Sequence, residues 1–557
     1  MKPHFKPNSP PALMQIAQTA IIFKSNPIQL AAGHPPSPAG GRQGWGHGAG
    51  PGHTAGTAAK QPQSALAAPP TQATHQRPGA WLALATSALL AGCMNLAPPY
   101  ATPPAPVPAT VALDTGAAPA QAGDAARAAA ADLAWVQSSA LREVMALALD
   151  NNRDLQVALA NLERARALYG VQQADSLPTV AATAQGARSR SAADLTASGR
   201  AQTTSQFNAQ LGFTSYELDL WGRVRNLNAV ALQQFLQSAM AQRSVEIALV
   251  ADVANAWLSL AANQARLQLA RGTLAARQKS FALTERMHEL GATSGLVLAQ
   301  NQTTVESARV EVATFASQVA RDRNALQLLV GGPVPAALWP AMPPATGPQD
   351  APPANAAALP QAAALREVPS PLPSSLLLVR PDILAAEHSL RAATANIGAA
   401  RAALFPTISL TATAGSASDD LGSLFAGGNG TWSFAPQIRL PFLDGGRARA
   451  NVRVADASAQ LALAQYDKAV QTAFREVADA LAERAQWAER LQAQSALVAA
   501  THKAFDLSEA RFKAGVDNYL TVLDAQRNLY AAQQTQITLQ LAEQVNRVTL
   551  YKVLGGG

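Results

Sequence analysis

An internal repeat restricts this chain more than any other feature of its sequence. Residues 222–332 align with residues 446–556 without a gap, and the separation is 224 positions throughout. Three glycine pairs mark the alignment: Gly222 with Gly446, Gly291 with Gly515, and Gly331 with Gly555. Agreement at one fixed separation over such a length indicates one structural unit that occurs twice.

The positions of the prolines predict very long helices. The chain contains 37 prolines, but none lies between residues 222 and 332 or after residue 442. Proline is excluded from helix interiors because it lacks an N–H and clashes with the preceding turn. We therefore predict helices over 229–290 and 453–514, each spanning ~90 Å. Shorter helices are predicted over 140–175 and 377–402.

A glycine follows each predicted long helix and predicts a turn. Gly291 and Gly515 end the two helices, and the chain then reverses direction. Ser294 and Asn518 occupy the same place in the repeat, and both residue types are good N-caps. Each returning helix is therefore predicted to begin beside its turn.

The predicted long helices carry apolar residues at a spacing of seven, which is typical of coiled coils. In the first copy these residues are Val253, Leu260, Leu267, Leu274 and Phe281, and in the second Val477, Leu491, Val498, Phe505 and Phe512. Val250 and Trp257 form a second apolar row beside the first. Two rows favour a curved wall of helices, but a coiled coil within one subunit also fits the pattern.

Segments between the helices alternate polar and apolar residues, which predicts β-strands with one apolar face. The clearest are residues 207–214 and 407–414, and residues 179–187 and 431–440 behave similarly. This is the pattern of membrane strands. Four strands cannot close a conducting barrel, and an open sheet in a bilayer exposes unpaired backbone groups. Either the strands form a soluble sandwich, or several chains pool them.

Cys93 is the single cysteine of the chain and follows a short apolar run, Trp81–Leu90, that is preceded by Arg77. Such a run fits a signal peptide better than a membrane span. The sequence Leu-Ala-Gly-Cys that ends at Cys93 resembles a lipobox, so we expect this cysteine to be acylated as the mature N-terminus. The alternative is a buried free cysteine.

The net charge of +7 does not predict a polyanionic partner. Residues 1–92 hold six basic and no acidic residues, so 37 of the 43 basic residues remain against 36 acidic residues from Cys93 onward. A basic surface for nucleic acid is therefore not expected. After Cys93 the histidines are His288, His388 and His502, and their spacing suits no metal site or nucleophile. We expect no enzyme activity, no metal, and no cofactor beyond the lipid on Cys93.

These features together divide the chain into six segments. They are a low-complexity leader absent from the mature protein (1–76), a signal peptide (77–92), an acylated extended tether (93–134), the first repeat (135–332), a Pro-rich linker (333–375) and the second repeat (376–557). The simplest explanation for the leader is a start codon downstream of residue 1.

Two sequence segments resemble the outer-membrane efflux proteins. The run from Arg380 to Leu410 resembles the signature of the NodT-type lipoproteins of RND (resistance–nodulation–division) pumps, which are TolC- and OprM-like. Gly515 to Arg527 is similar to the helix-tip segment of that family. The resemblance covers about 135–557 and implies a homotrimer, in which twelve strands form a β-barrel in the outer membrane and long antiparallel helices form a periplasmic α-barrel.

The resemblance also implies partners and functional residues. It implies a passive exit channel for drugs or other small toxic molecules, docked to a periplasmic adaptor and an inner-membrane RND transporter. Leu520 and Asp524 would narrow the closed periplasmic mouth, although Asp524 could also be an ordinary solvated carboxylate. The helix tips at Gly291, Ser294, Gly515 and Asn518 would contact the adaptor, or serve only as turns. An exit duct for type I protein secretion and a periplasmic coiled-coil spacer without a pore remain as alternatives.

Overall fold

The computed structural model describes residues 94–108, 110–111, 135–341 and 372–556. The chain divides into two units, Met1–Gln76 and Arg77–Gly557, and every described residue belongs to the second. Cys93, the predicted leader and signal peptide, and most of the predicted linker lie outside the described residues.

The described residues form helices α1 to α7 and strands β1 to β6. The helices are α1 (Ser139–Asn151), α2 (Arg153–Ala174), α3 (Arg223–Glu289), α4 (Gly295–Val330), α5 (Pro381–Ala402), α6 (Arg447–Lys513) and α7 (Tyr519–Val553). The strands are β1 (Thr110–Val111), β2 (Val180–Ser191), β3 (Gln202–Glu217), β4 (Leu372–Pro373), β5 (Thr407–Ser418) and β6 (Gly430–Arg439).

The two predicted long helices are confirmed as α3 and α6, and each contains 67 residues. Both begin six residues earlier than the sequence predicted, because a carboxylate caps each start. Asp219 accepts hydrogen bonds from the backbone N–H groups of Val224 and Arg225, at 3.0 and 2.8 Å. In the second copy Asp444 accepts from the backbone N–H groups of Gly446, the N-cap residue, and Ala448, at 2.8 and 2.7 Å. These bonds satisfy donors that have no partner in the helix.

The seven-residue apolar rows are buried over part of their length, and their remaining members are half-buried. Val253, Leu260 and Leu267 are buried in α3, and Val477 and Val498 are buried in α6. The second row is also buried at Val250 and Trp257. Helix α3 packs against α2, α4, α5 and α7, while α6 packs against α5 and α7. Burial on more than one side shows that α3 belongs to a layer of helices and not to a single helix pair.

The prediction of one helix over 140–175 is wrong, because the chain breaks at Asn152. The side chain of Asn152 accepts a hydrogen bond from the N–H of Leu155 at 2.9 Å and donates one to the carbonyl oxygen of Leu329 at 2.7 Å. The first bond begins α2, and the second ties the break to the end of α4. A strong N-cap residue inside an apolar periodic pattern was the available signal.

The four predicted strands are confirmed and form one antiparallel sheet in the order β2-β3-β5-β6. Strand β3 is interrupted by a register shift between Phe213 and Tyr216, where Ser215 has a φ of 55°. Strands β2 and β6 each lack a partner on one side within the described part of the chain. Such edges carry unpaired backbone groups that favour pairing with another chain.

Candidate functional site

One face of the four-stranded sheet is apolar from edge to edge. The cross-strand pairs Val180 with Phe213, Ala182 with Leu211, Ala412 with Phe434, and Ala414 with Trp432 lie on this face. Trp432 and Phe434 are exposed, with 80% and 61% of their surface accessible. A continuous exposed apolar surface of this kind is the lipid-facing side of a membrane sheet.

The opposite face of the sheet is polar and contains two closely approached glycines. Thr413 and Ser433 contact each other across the strands, with their hydroxyl oxygens 2.7 Å apart. A Cβ on Gly212 would lie 2.2 Å from the carbonyl oxygen of Ala412, and one on Gly415 would lie 2.1 Å from that of Ala209. Glycine in a strand marks a place where backbones approach closely or a barrel wall bends sharply. On the polar face, therefore, neighbouring strands approach each other too closely at these two positions for any residue with a Cβ.

An 18-residue window of α3 is apolar enough to cross a membrane, with a mean hydropathy of 1.5. However, 61% of that window is buried against other parts of the chain. A core helix meets the same criterion of length and composition, so the sheet remains the stronger candidate for contact with lipid.

Residues 94–108 lie extended against the helices. The amide of Asn226, at the start of α3, donates to Oδ1 of Asn95 at 2.8 Å. A Cβ on Gly398 would come within 2.7 Å of Ala97, so glycine is required for this close approach. Further along, the ring of Tyr100 lies under the Arg391 guanidinium, 4.8 Å from ring centroid to guanidinium carbon. The chain is thus held against α3 at Asn95 and against α5 at Ala97 and Tyr100.

The two helix tips have the same construction in both copies. Gly291 and Gly515 both have a φ of 70°, in the left-handed region that favours glycine. Ser294 accepts a hydrogen bond from the N–H of Val297 at 3.4 Å, and Asn518 accepts one from the N–H of Thr521 at 3.2 Å. These contacts account for the four residues as glycine turns with N-caps.

An ion pair that the sequence analysis did not predict stabilises the second tip. The Arg511 guanidinium donates to both carboxylate oxygens of Asp517, at 2.6 and 2.9 Å, and it lowers the pKa of Asp517. Met287 and Thr293 occupy these positions in the first copy. Opposite charges on the two sides of Gly515 were the available sequence signal. The two tips therefore differ in charge although their backbones match.

Leu520 and Asp524 lie one turn apart near the start of α7, and both are exposed in the described chain. Asp524 accepts a hydrogen bond from Arg527 at 2.7 Å, so its charge is paired within its own helix. The role of Arg527 was not predicted, although a spacing of three residues on a helix was a usable signal. Gln300, the first-copy counterpart of Asp524, is half-buried.

Behind the tips, a buried polar cluster joins α3, α4 and α7. Within it, the hydroxyl groups of Tyr519 and Ser280 are hydrogen-bonded, and Asn301 donates to the Thr284 hydroxyl at 2.7 Å. Arg277 donates to the carbonyl oxygen of Thr304 at 2.9 Å. Burial raises the pKa of Tyr519 and lowers the pKa of Arg277. Tyr519 lies 239 residues from Ser280 along the chain, so no local sequence pattern predicts this contact.

Arg380 ties three helices together at the start of the Arg380–Leu410 run. It donates two hydrogen bonds to Asp382, at 3.0 and 2.8 Å, one to Glu476 at 2.9 Å, and one to the carbonyl oxygen of Val553 at 2.8 Å. Its side chain is only 8% exposed. The bonds connect the start of α5 with the middle of α6 and the end of α7. This part of the motif is therefore structural.

Comparison with known proteins identifies the family of this chain, which combines a lipid-facing sheet with long helices. The profile of the outer membrane efflux protein family matches residues 144–332 and 372–556. The chain belongs to the outer membrane efflux protein family. The resemblance found from the sequence is thereby confirmed, as are the TolC-like fold and the outer-membrane location.

Individual relatives agree with this assignment. The toluene efflux pump outer membrane protein TtgC of Pseudomonas putida is 46% identical over 86% of this chain and 95% of its own length. Outer membrane protein OprJ of Pseudomonas aeruginosa is 41% identical over 84% and 94%. The open state of the Neisseria gonorrhoeae MtrE outer membrane channel matches with a TM-score of 0.71 and 35% identity, over 83% of this chain and 98% of that one. All three are outer-membrane proteins, of which TtgC is named as part of an efflux pump and MtrE as a channel.

Proposed function

We propose that this chain is the passive outer-membrane channel of a tripartite RND-type efflux pump and has no enzyme activity of its own. The observation that carries the proposal is the lipid-facing sheet with its two open edges, β2 and β6. Three chains that pair β2 of one with β6 of the next close a twelve-stranded barrel and leave no exposed edge. The polar face then lines the pore.

The partners follow from the same proposal. The channel is a homotrimer whose helix tips, at Gly291, Ser294, Gly515 and Asn518, contact a periplasmic adaptor, and the adaptor joins it to an inner-membrane RND transporter. Relatives are named as toluene, solvent and antibiotic efflux components, which supports drugs and other small toxic molecules as cargo.

Complementation tests this function directly. A strain that lacks its own outer-membrane efflux channel should regain resistance to toluene and antibiotics when this chain is expressed, but only if the cognate pump genes are present. Resistance without those genes would contradict the proposal. Restored secretion of a protein substrate with no change in drug resistance would instead support the type I secretion duct.

Liposome swelling separates a channel from a non-conducting spacer. Liposomes containing the purified trimer with an opened mouth should swell in an isotonic sugar solution, because solute enters through the pore and water follows. Liposomes with the same lipid and no protein are the control. Failure of the opened trimer to swell liposomes would favour the spacer.

We further propose that Leu520 and Asp524 form the closed periplasmic gate. Three Leu520 side chains would pack across the mouth, while three Asp524 carboxylates form an acidic ring that attracts cations. Replacing Leu520 with alanine removes the apolar packing, and replacing Asp524 with alanine removes the Arg527 contact and the ring charge. Either variant is expected to increase single-channel conductance in planar bilayers.

The first repeat supplies matched controls for the gate. Leu296 and Gln300 stand in the first copy where Leu520 and Asp524 stand in the second. The corresponding variants, Leu296→Ala and Gln300→Ala, should leave conductance unchanged. Equal conductance of all four variants and the parent protein would refute the gate.

We also propose that Cys93 carries the lipid anchor. The docking of Asn95 on Asn226 supports this, because it fixes the chain at the start of α3 only two residues after Cys93 in sequence. Mass spectrometry of the mature N-terminus should find an acylated Cys93, and a Cys93→Ala variant should lack palmitate incorporation. Equal palmitate incorporation by the variant would contradict the assignment.

A further inference from the structure

Two arginines continue the apolar face of the sheet beyond its outer end. On β2 the residues that share this face are Val180, Ala182, Ala184, Gly186, Arg188 and Arg190. The last apolar rung pairs Gly186 with Phe207, and the next two pair Arg188 with Ser205 and Arg190 with Thr203. The face therefore changes from apolar to cationic within a single step along the strand.

Side-chain contacts fix the direction in which these residues point. A Cβ on Gly186 would lie 3.0 Å from the Phe207 ring, so these two residues share the lipid-facing side. The hydroxyl oxygens of Ser189 and Thr204 lie 3.1 Å apart, so the side chains of these two residues share the opposite, polar side of the sheet. Because side chains alternate along a strand, Arg188 and Arg190 lie on the lipid-facing side with Gly186.

The hairpin of β2 and β3 extends past the rest of the sheet. Phe207 pairs with Ser418, the last residue of β5, so the rungs of Arg188 and Arg190 lie beyond that strand. The helices join the other end of the sheet, so this end is the outer one in the membrane. The two arginines are thus the first residues of β2 on this face beyond the apolar band, on its outer side.

Neither arginine has a side-chain partner among the residues that the structure describes. Both are exposed, and within the described residues neither guanidinium has a hydrogen bond or an ion pair with a carboxylate. Their Cα atoms are about 7 Å apart along the strand, and hydroxyl groups of Ser205 and Thr203 lie beside them. Pairing of β2 with another strand would use its backbone and leave this side of the strand open.

We propose that Arg188 and Arg190 bind phosphate groups on the headgroup of the outer-leaflet glycolipid. A planar guanidinium donates two parallel hydrogen bonds to a phosphate, and such charge-assisted bonds are stronger than neutral ones. The apolar band below contacts the acyl chains of the same lipid. One glycolipid therefore meets an apolar surface and a cationic rim that match its two chemical parts.

The test compares the mature trimer in detergent with an Arg188→Gln/Arg190→Gln double variant. Native mass spectrometry titrates each protein with bis-phosphorylated lipid A and, separately, with the fully dephosphorylated glycolipid. The double variant is expected to bind the phosphorylated lipid about tenfold more weakly. Both proteins should bind the dephosphorylated lipid equally, because only the apolar band contacts it.

Arg439→Gln is the matched control for charge. Arg439 ends β6 opposite Thr407, at the other end of the sheet and on its polar face. This variant should bind phosphorylated lipid A like the parent protein, and size-exclusion chromatography should show all three proteins as the same assembly. Unchanged binding in the double variant, or equal binding of the two lipids by the parent protein, would overturn the proposal.

Discussion

Replacing Arg380 with leucine is expected to lower the free energy of unfolding by about 2–3 kcal/mol. The variant loses four hydrogen bonds and leaves the carbonyl oxygen of Val553 without its donor. Removing one partner of a fully buried ion pair costs roughly 3–5 kcal/mol. The expected loss is smaller here because the Asp382 and Glu476 side chains are 46% and 36% exposed, so water solvates them after the change.

Lysine should not rescue this position. Its single ammonium cannot donate to two carboxylates and a carbonyl oxygen in the directions that the Arg380 guanidinium does. Thermal unfolding of the detergent-purified protein, followed by circular dichroism, should therefore give lower transition temperatures for both Arg380→Leu and Arg380→Lys than for the parent protein.

Arg401, near the end of α5, is the control for this change. It lies 3.7 Å from Asp456, and both side chains are more than 40% exposed. Exposed pairs contribute little to stability, so Arg401→Leu should unfold within a degree or so of the parent protein. An Arg380→Leu variant as stable as Arg401→Leu would contradict the structural role of the motif.

Replacing Gly415 with valine is expected to prevent assembly of the β-barrel. The new Cβ would lie 2.1 Å from the carbonyl oxygen of Ala209 and 2.5 Å from the Cα of Gln210, both of them backbone atoms. Side-chain rotation cannot relieve this contact, so β3 and β5 must separate. The cost is at the upper end of overpacking, about 3 kcal/mol. Loss of the heat-modifiable trimer on denaturing gels measures the effect.

Ala414→Val adds the same side chain one residue earlier on the other face. Ala414 is exposed on the lipid-facing side, where a β-branched residue suits a strand. This variant should form trimers in the usual yield. If Gly415→Val also formed normal trimers, the close approach of β3 and β5 would not be needed for the barrel.

The sequence predicted the parts of the fold that depend on periodicity. The absence of proline located α3 and α6, and alternation located the strands, because both signals are repeated over many residues. Helix starts were less accurate, since the start of α3 depends on Asp219, which precedes the helical pattern. The break at Asn152 had a local signal in its N-cap side chain, whereas the bond from Asn152 to Leu329, 177 positions away, was outside local prediction.

In the candidate site, too, local features were predictable from the sequence and contacts between distant residues were not. Gly291 and Ser294 were predictable because a turn and its N-cap are local features. The role of Arg380 was not, since its partners Glu476 and Val553 lie 96 and 173 residues away. The lipid-facing side of Arg188 was also outside local prediction, because it follows from the register between β2 and β3.

Because α3 and α6 have equal lengths, the distance from the sheet to the helix tip is set by the same number of residues in both copies. Inserting one residue into either helix would advance its tip by about 1.5 Å and rotate everything beyond the insertion by about 100°, which moves the apolar row away from its neighbours. Insertions of seven residues in both copies together would keep the rows aligned. The length of this helical wall can therefore change only in large, paired steps.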